Sequence, residues 1–451
     1  MNQQTQLRTK PIPQLIVGLS VPAILSMLVS SLNTAIDRIF VARGIGTAAL
    51  SGVTVSNGVV LILQGFSLLI AAGGAAAIAM KFGRNDQAGA ERIVGNANTL
   101  AVLISLFLTA IGLLVLKPLL SLYGASADNI SFAYQYSTVI IGGTIPFILA
   151  QTNNNLLKGM GYAKQSLFNF TISILVNIIL DPIFIFVFGW GVHGAALATI
   201  IGYLSSTILS IRFLCSKKSA VNLRFENLKL DPIAVKTIVK IAIPACLTQI
   251  SLSFLALTFN HVAQRIGGNT AVAAYGIVYS MIMLVYMPIM GLGQGIQPIL
   301  GYNFGAEDYN RVSQTLKKAL FYVTVFCCFM FCIIEVFSQP IAAVFGGRTN
   351  PELTELTRHG LRLFCLSMPV VGIDMIGANY FQYIGKYKES LLLSTLRQLI
   401  LLIPLVWFLP RIWGLNGMWI ATSVADCVVF LVTVWYIRNE IALNGDRSGV
   451  T

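Results

Sequence analysis

Long apolar runs alternate with short polar breaks along nearly the whole chain. A run of about 18 residues or more can cross a bilayer as a helix. Twelve such spans can be marked, at 12–40, 48–80, 93–116, 131–157, 165–188, 192–214, 238–263, 271–301, 314–337, 358–384, 390–410 and 415–437. An even number of crossings returns the chain to the side on which it began. The pattern therefore predicts an all-α polytopic membrane protein with twelve transmembrane helices.

The spans also repeat. Pro22 recurs as Pro244, Phe82-Gly83 as Phe304-Gly305, and Asp86 as Asp308. Pro146 recurs as Pro369, Gly161 as Gly385, Pro182 as Pro404, Trp190-Gly191 as Trp413-Gly414, and Ala198-Thr199 as Ala421-Thr422. The offset stays between 222 and 224 residues, a register that chance would not hold across six helices. Two pseudo-symmetric six-helix bundles are expected, related by an axis along the membrane normal, as in transporters with parallel repeats. The expected division is an N-terminal lobe at 1–215, a cytoplasmic linker at 216–236 and a C-terminal lobe at 237–451.

Composition agrees. Hydrophobic residues make up 56% and charged residues 10% of the chain, against roughly 25% charged in a soluble domain. Mean hydropathy is +0.78. The net charge of +13 could suggest a nucleic-acid partner, but no basic arm or stripe is present, so none is expected. With the N terminus inside, 22 of the Lys and Arg fall in or beside inner segments and 7 in outer ones, with Arg38 inside the first span. That bias is a positive-inside signal and places both termini in the cytoplasm. The seven cysteines lie in or beside apolar segments without zinc-ligand spacing. The first apolar run is too long for a signal-peptide core, so no cleavage is expected.

The most informative stretch is Phe168–Gly202, which is apolar yet carries Asn177, Asp181 and Thr199. Asn177 and Asp181 are four apart and share a helix face. Pro182 has no N–H and deprives the carbonyl of Ile178 of its intrahelical partner. An amide, a carboxylate and a freed carbonyl within a turn suit a small cation. An intramembrane carboxylate is costly and by default marks a site; its bland alternative is an Asp-Pro that breaks a helix. The repeat does not preserve this cluster, because Asn177 corresponds to Leu399 and Asp181 to Ile403.

Elsewhere, Asp374 and Asp426 are buried-acid candidates, Asp374 also for a substrate cleft, whose bland reading is a hydrogen bond within the bundle. Tyr275, Tyr279, Met283, Tyr286 and Met290 share a face of the eighth helix and could line a cleft for flat organic cations, or simply pack. Gln64, Gln151, Asn153, Asn154, Asn155, Gln249, Gln294, Gln297, Asn379 and Gln382 stand mid-helix and are expected to face a cleft rather than lipid.

These motifs resemble those of the multidrug and toxic compound extrusion (MATE) transporters. The likeness spans the chain and rests on SVPAILSML in the first helix and on KFGRND with its echo NFGAED. NIILDPIFIF followed by GWGVHGAALAT is its most specific part. The resemblance implies an ion or proton site formed by Asp37, Asn177, Asp181 and Thr199. Arg38, directly after Asp37, departs from the pattern and offers that acid an ion-pair partner. It further implies a secondary antiporter of bacterial type in the inner (plasma) membrane. Such a protein would be monomeric, export organic and often cationic drugs across the lipid bilayer in exchange for H+ or Na+, and need no cofactor. Na+ would sit at the same four residues, and no other metal is expected. The rival reading is a flippase for a lipid-linked saccharide or peptidoglycan precursor, which needs an arginine-rich cleft for its pyrophosphate. A membrane enzyme is not expected, since no His-Glu-x-x-His or Gly-x-Ser-x-Gly is present. Nor is there an ATP-binding motif.

Overall fold

Inside lipid no water satisfies backbone N–H and C=O groups, so apolar runs must close their hydrogen bonds within helices. The computed structural model, which describes residues 3–346 and 351–448, follows this rule throughout. A short helix, Gln3–Thr9, precedes α1 (Ile12–Gly44), α2 (Thr47–Gly83) and α3 (Gln87–Leu122). Next comes α4, made of Ile130–Gly142 and Thr144–Gly159 meeting at 59°. It is followed by α5 (Ala163–Val187) and α6 (Gly191–Leu214). The continuous stretch Pro232–Gly305 breaks at Gly268 (φ 62°), giving α7 (232–267) and α8 (269–305). The last four are α9 (Tyr309–Gly346), α10 (Pro351–Tyr383), α11 (Tyr387–Phe408) and α12 (Pro410–Ser448). The described residues thus hold twelve spanning helices in two six-helix bundles. Leu114, Phe329, Val336 and Leu431 are among the large apolar side chains exposed on the outside, where lipid would cover them.

The repeat is legible in the backbone. Asn85 and Glu307, 222 positions apart, are the two non-glycine residues with positive φ among the described residues (55° and 60°). Each turns the chain into an N-cap aspartate. Asp86 accepts from the N–H of Gly89 at 2.8 Å, and Asp308 from that of Arg311 at 3.0 Å. An N-cap carboxylate satisfies donors that the first helical turn leaves free, which explains why KFGRND and NFGAED recur. Likewise Gly191 and Gly414 both take φ near +55°, a conformation that a Cβ would strain.

Pro182 ends regular helix in α5, as its missing N–H requires. The next turn, Ile183–Val187, widens to π geometry, with Phe188 N–H reaching Ile183 O at 2.9 Å. The segment between the bundles is pinned on α3. Asn96 accepts from the N–H of Asp231 at 2.7 Å, and the hydroxyl of Thr99 donates to Leu228 O at 2.8 Å. Helix α7 begins at Pro232, so the last residues assigned to a linker ending at 236 are helical.

The bundles meet closely at one end. A Cβ on Gly73 would lie 2.0 Å from Ile238 O, one on Gly83 2.0 Å from Tyr302 O, and one on Gly305 2.2 Å from Met80 O. Gly291 and Gly295 abut Ile24 and Ser20 of α1 in the same way. All these contacts lie toward the end that carries the loops after Gly83 and Gly305 and the linker.

Two residues counted among the flanking charges are corrected here. Lys158 lies in the last turn of α4 and is 8% exposed. Arg397 lies within α11, its side chain 16% exposed, in an ion pair with Asp426. Both are interior because each has a polar partner across a helix interface. Arg348 and the side chain of Arg447, also counted, lie outside the described residues.

Candidate functional site

Helices α1, α4, α5 and α6 converge on one polar centre. The i,i+4 spacing of α5 places Asn177 and Asp181 on its inner face, and both are buried, Asp181 completely. On α1 the same spacing sets Asn33 beside Asp37, with the Asn33 amide donating to Asp37 Oδ2 at 3.2 Å. The carboxyl groups of Asp37 and Asp181 approach each other at this centre, and Asn177 lies beside Asp181, one turn away on α5. With its amide nitrogen turned toward α1, Asn177 donates to Asp37 Oδ1 and Asn33 Oδ1, each at 2.9 Å. Turned the other way, it reaches Thr199 Oγ1 at 3.4 Å. Thr199 is held by its own donation to Ala195 O at 3.0 Å, and Tyr136 of α4 lies beside it.

The structure therefore brings together Asp37, Asn177, Asp181 and Thr199. Arg38 is exposed on α1 and takes no part. Sequence reasoning missed Asn33 and Tyr136. The Asn-x-x-x-Asp spacing of 33 and 37 repeats that of 177 and 181 and was available as a signal; Tyr136 offered none. Chemically the centre is a set of hard oxygen donors, two of them carboxylates. Carboxylates in contact repel unless a proton or cation lies between them. Such a set of oxygen donors suits a proton or a small cation.

A second feature stands apart. A cavity of about 330 Å³ opens between the bundles, lined mainly by α7, α8, α10 and α11 and by Met27, Leu68, Ala72 and Asn155 of the first bundle. None of the four residues of the polar centre lines it. Of the cleft residues expected from sequence, Met283, Tyr286, Met290, Asp374 and Asn379 line the cavity, with Asn155, Gln249, Gln294, Gln297 and Gln382. The others lie elsewhere. Tyr275 is buried in a stack on Phe259, ring centroids 4.8 Å apart, and Tyr279 packs beside it. Asn154 is buried inside the first bundle and donates to Ser206 Oγ at 2.8 Å. Asn153 is wholly buried, and Gln64 and Gln151 are half-buried outside the lining. The eighth-helix stripe is thus divided: its N-terminal part, at Tyr275, is covered by Phe259 of α7, and its C-terminal part, from Met283 to Met290, faces the cavity.

On the cavity wall Arg397 donates to Asp426 at 2.7 Å and to the hydroxyl of Tyr286 at 3.3 Å, while Ser367 donates to Asp426 at 2.8 Å. Asp374 is buried beside Thr433, yet neither carboxylate oxygen has a hydrogen bond of ordinary geometry. A single arginine, already paired, is not the arginine-rich cleft that a pyrophosphate headgroup requires.

The MatE family model matches residues 22–183 and 244–408, once in each half. The chain is 24% identical to the FAD transporter of Shewanella oneidensis, over 98% of this chain and 97% of that one. It is 24% identical to the multidrug export protein MepA of Staphylococcus aureus, over 96% of each. A crystal structure of MATE in the bent conformation superposes with a TM-score of 0.93 at 24% identity, covering 100% of this chain and 99% of that one.

Proposed function

Because the chain belongs to the MatE family of membrane transporters, we propose that it is a secondary active exporter of small organic molecules, many of them cationic. Inward flow of H+ or Na+ drives it, and the bundles rock between outward- and inward-facing states. It works as a monomer in the bacterial plasma membrane, with both termini cytoplasmic and no cofactor.

The observation that carries this reading is the pairing of Asp37 with Asp181, away from the cavity but on a helix that also lines it. Helix α1 holds Asp37 in the polar centre, puts Met27 on the cavity wall and presents Ile24 and Ser20 to the glycines of α8. Pro22 interrupts its hydrogen-bond ladder on the way. A proton or Na+ between the carboxylates removes their repulsion and draws α1 toward α5. Emptying the site lets α1 relax, which alters both the cavity wall and the bundle contact. Ion and cargo thus disfavour each other through one conformational equilibrium. In this orientation the tight glycine contacts close the cytoplasmic side, and the cavity faces outward.

The test is efflux of a fluorescent cationic dye from proteoliposomes, driven in turn by a pH gradient and by a Na+ gradient. Wild type should move dye under one of them, and Asp181→Asn should insert normally but fail to couple. Full gradient-driven efflux by Asp181→Asn would sink the assignment of that site.

A further inference from the structure

Lys158 is a buried cation without a matching anion. Its side chain is 8% exposed, and none of the ion pairs among the described residues includes it. Its ammonium donates to Gln294 Oε1 at 2.8 Å, across the boundary between the bundles. Gln294 lines the cavity, and so does Asn155, one turn before Lys158 on α4. Gly159 packs against Ala75 of α2, where a Cβ would meet Ala75 O at 2.5 Å, so the end of α4 is fixed. The charge therefore sits directly behind the cavity floor, screened from it by one amide.

A structural tie does not account for this. An amide or hydroxyl could bridge to Gln294 without desolvating a full charge, which is costly when no opposite charge compensates it. The C-terminal end of α4 supplies part of a counter-charge, but less than a carboxylate would. The cavity holds the complementary oddity in Asp374, a buried carboxylate without an ordinary hydrogen bond. A ligand with one charge of each sign would answer both.

We propose that Lys158 is a specificity-determining residue of the cavity: it recognises a carboxylate or phosphate on the cargo, so that the protein favours zwitterionic molecules over purely cationic ones. This rests on the export reading above. Lys158 belongs to one bundle and Gln294 to the other, so parting the bundles at this end breaks their bond. The ammonium is then uncovered at the mouth through which cytoplasmic cargo enters, and it takes the anionic group as its new partner. When the bundles close again, Gln294 competes for the ammonium and releases that group toward the outward-facing cavity.

The experiment uses a matched pair of probes, a rhodamine with a free carboxylate and the ethyl ester of the same rhodamine. Transport into or out of proteoliposomes and fluorescence anisotropy with the detergent-purified protein are measured for wild type, Lys158→Gln, Lys158→Arg and Gln294→Leu. Loss of a charge-assisted hydrogen bond should lower the preference for carboxylate over ester about tenfold or more in Lys158→Gln. Lys158→Arg should restore it, and Gln294→Leu, which keeps the ammonium, should retain it. An unchanged preference in Lys158→Gln, or the same loss in Gln294→Leu, would overturn the proposal and leave Lys158 a tie between bundles. If wild type transports neither probe the export reading fails, and the anisotropy comparison still decides the role of Lys158.

Discussion

Gly73→Val tests whether the glycine contacts hold one side of the molecule shut. A Cβ at position 73 would lie 2.0 Å from Ile238 O and 3.0 Å from the Cβ of Ala242. Carbon–oxygen contacts between helices settle near about 3.3–3.6 Å, so α2 and α7 would have to part by about 1.3 Å. The neighbour is backbone, which cannot rotate away, and overpacking of this kind costs about 1–3 kcal/mol. A bundle rotation that opens this side relieves the clash, and the same energy as a bias between states is a shift of about 5- to 150-fold. The readout is alkylation of Ala79→Cys, a position 1% exposed that packs on Gly301 of α8, in a background without the seven native cysteines. An impermeant maleimide applied from the N-terminal side should label Gly73→Val faster than its parent, and gradient-driven transport should fall. A monodisperse Gly73→Val that labels and transports like its parent would refute the reasoning.

Other consequences follow from the polar contacts. Arg397→Met leaves Asp426, which is 0% exposed, with Ser367 as its remaining partner. It should cost about 3–5 kcal/mol in thermal or denaturant unfolding, and Arg397→Met with Asp426→Leu should recover most of that loss. A double variant as weak as the single would remove the ion pair from the account. Asp86, in the loop after α2, is held below the usual carboxylate range first by its hydrogen bond from Lys81 and then by the Gly89 N–H. A carboxylate depressed by folding contributes stability above its unfolded pKa and loses it as pH falls through the folded value. Asp86→Asn keeps the cap but not the charge, so its unfolding midpoint should decline less steeply than that of wild type below about pH 4. Parallel declines would show that the Lys81 contact contributes nothing in solution.

How far these features were legible in the sequence depends on the kind of signal. An acid in an apolar run is rare enough to stand out, so Asp181 could be read directly and Asn177 followed from helical spacing. The break between α7 and α8 was also visible, since polar Gly267-Gly268-Asn269 interrupts two apolar runs. What spacing cannot supply is the identity of the neighbour. Tyr275 and Tyr286 lie on one face of α8, yet Phe259 covers the first and the cavity receives the second. Arg397 follows Lys386 and Lys388 closely and so read as a flanking charge, although its partner Asp426 waits on another helix. Lys158 was hidden for the same reason, its partner lying in the other half of the chain.

The contact between the glycines has a reciprocal form. By the 222-residue offset, Gly305 is the counterpart of Gly83 and Tyr302 that of Met80. Gly83 meets the carbonyl of Tyr302, and Gly305 meets that of Met80. When residue i touches the counterpart of j and j touches the counterpart of i, the surface is self-complementary, the signature of an isologous homodimer. The seam thus retains the form of two identical subunits joined face to face, as duplication and fusion of one ancestral gene would leave it. Its pairing information lies in the seam itself, and the connecting segment need only keep the partners together. Divergence was then free to place an acidic pair in one descendant and an arginine in the other.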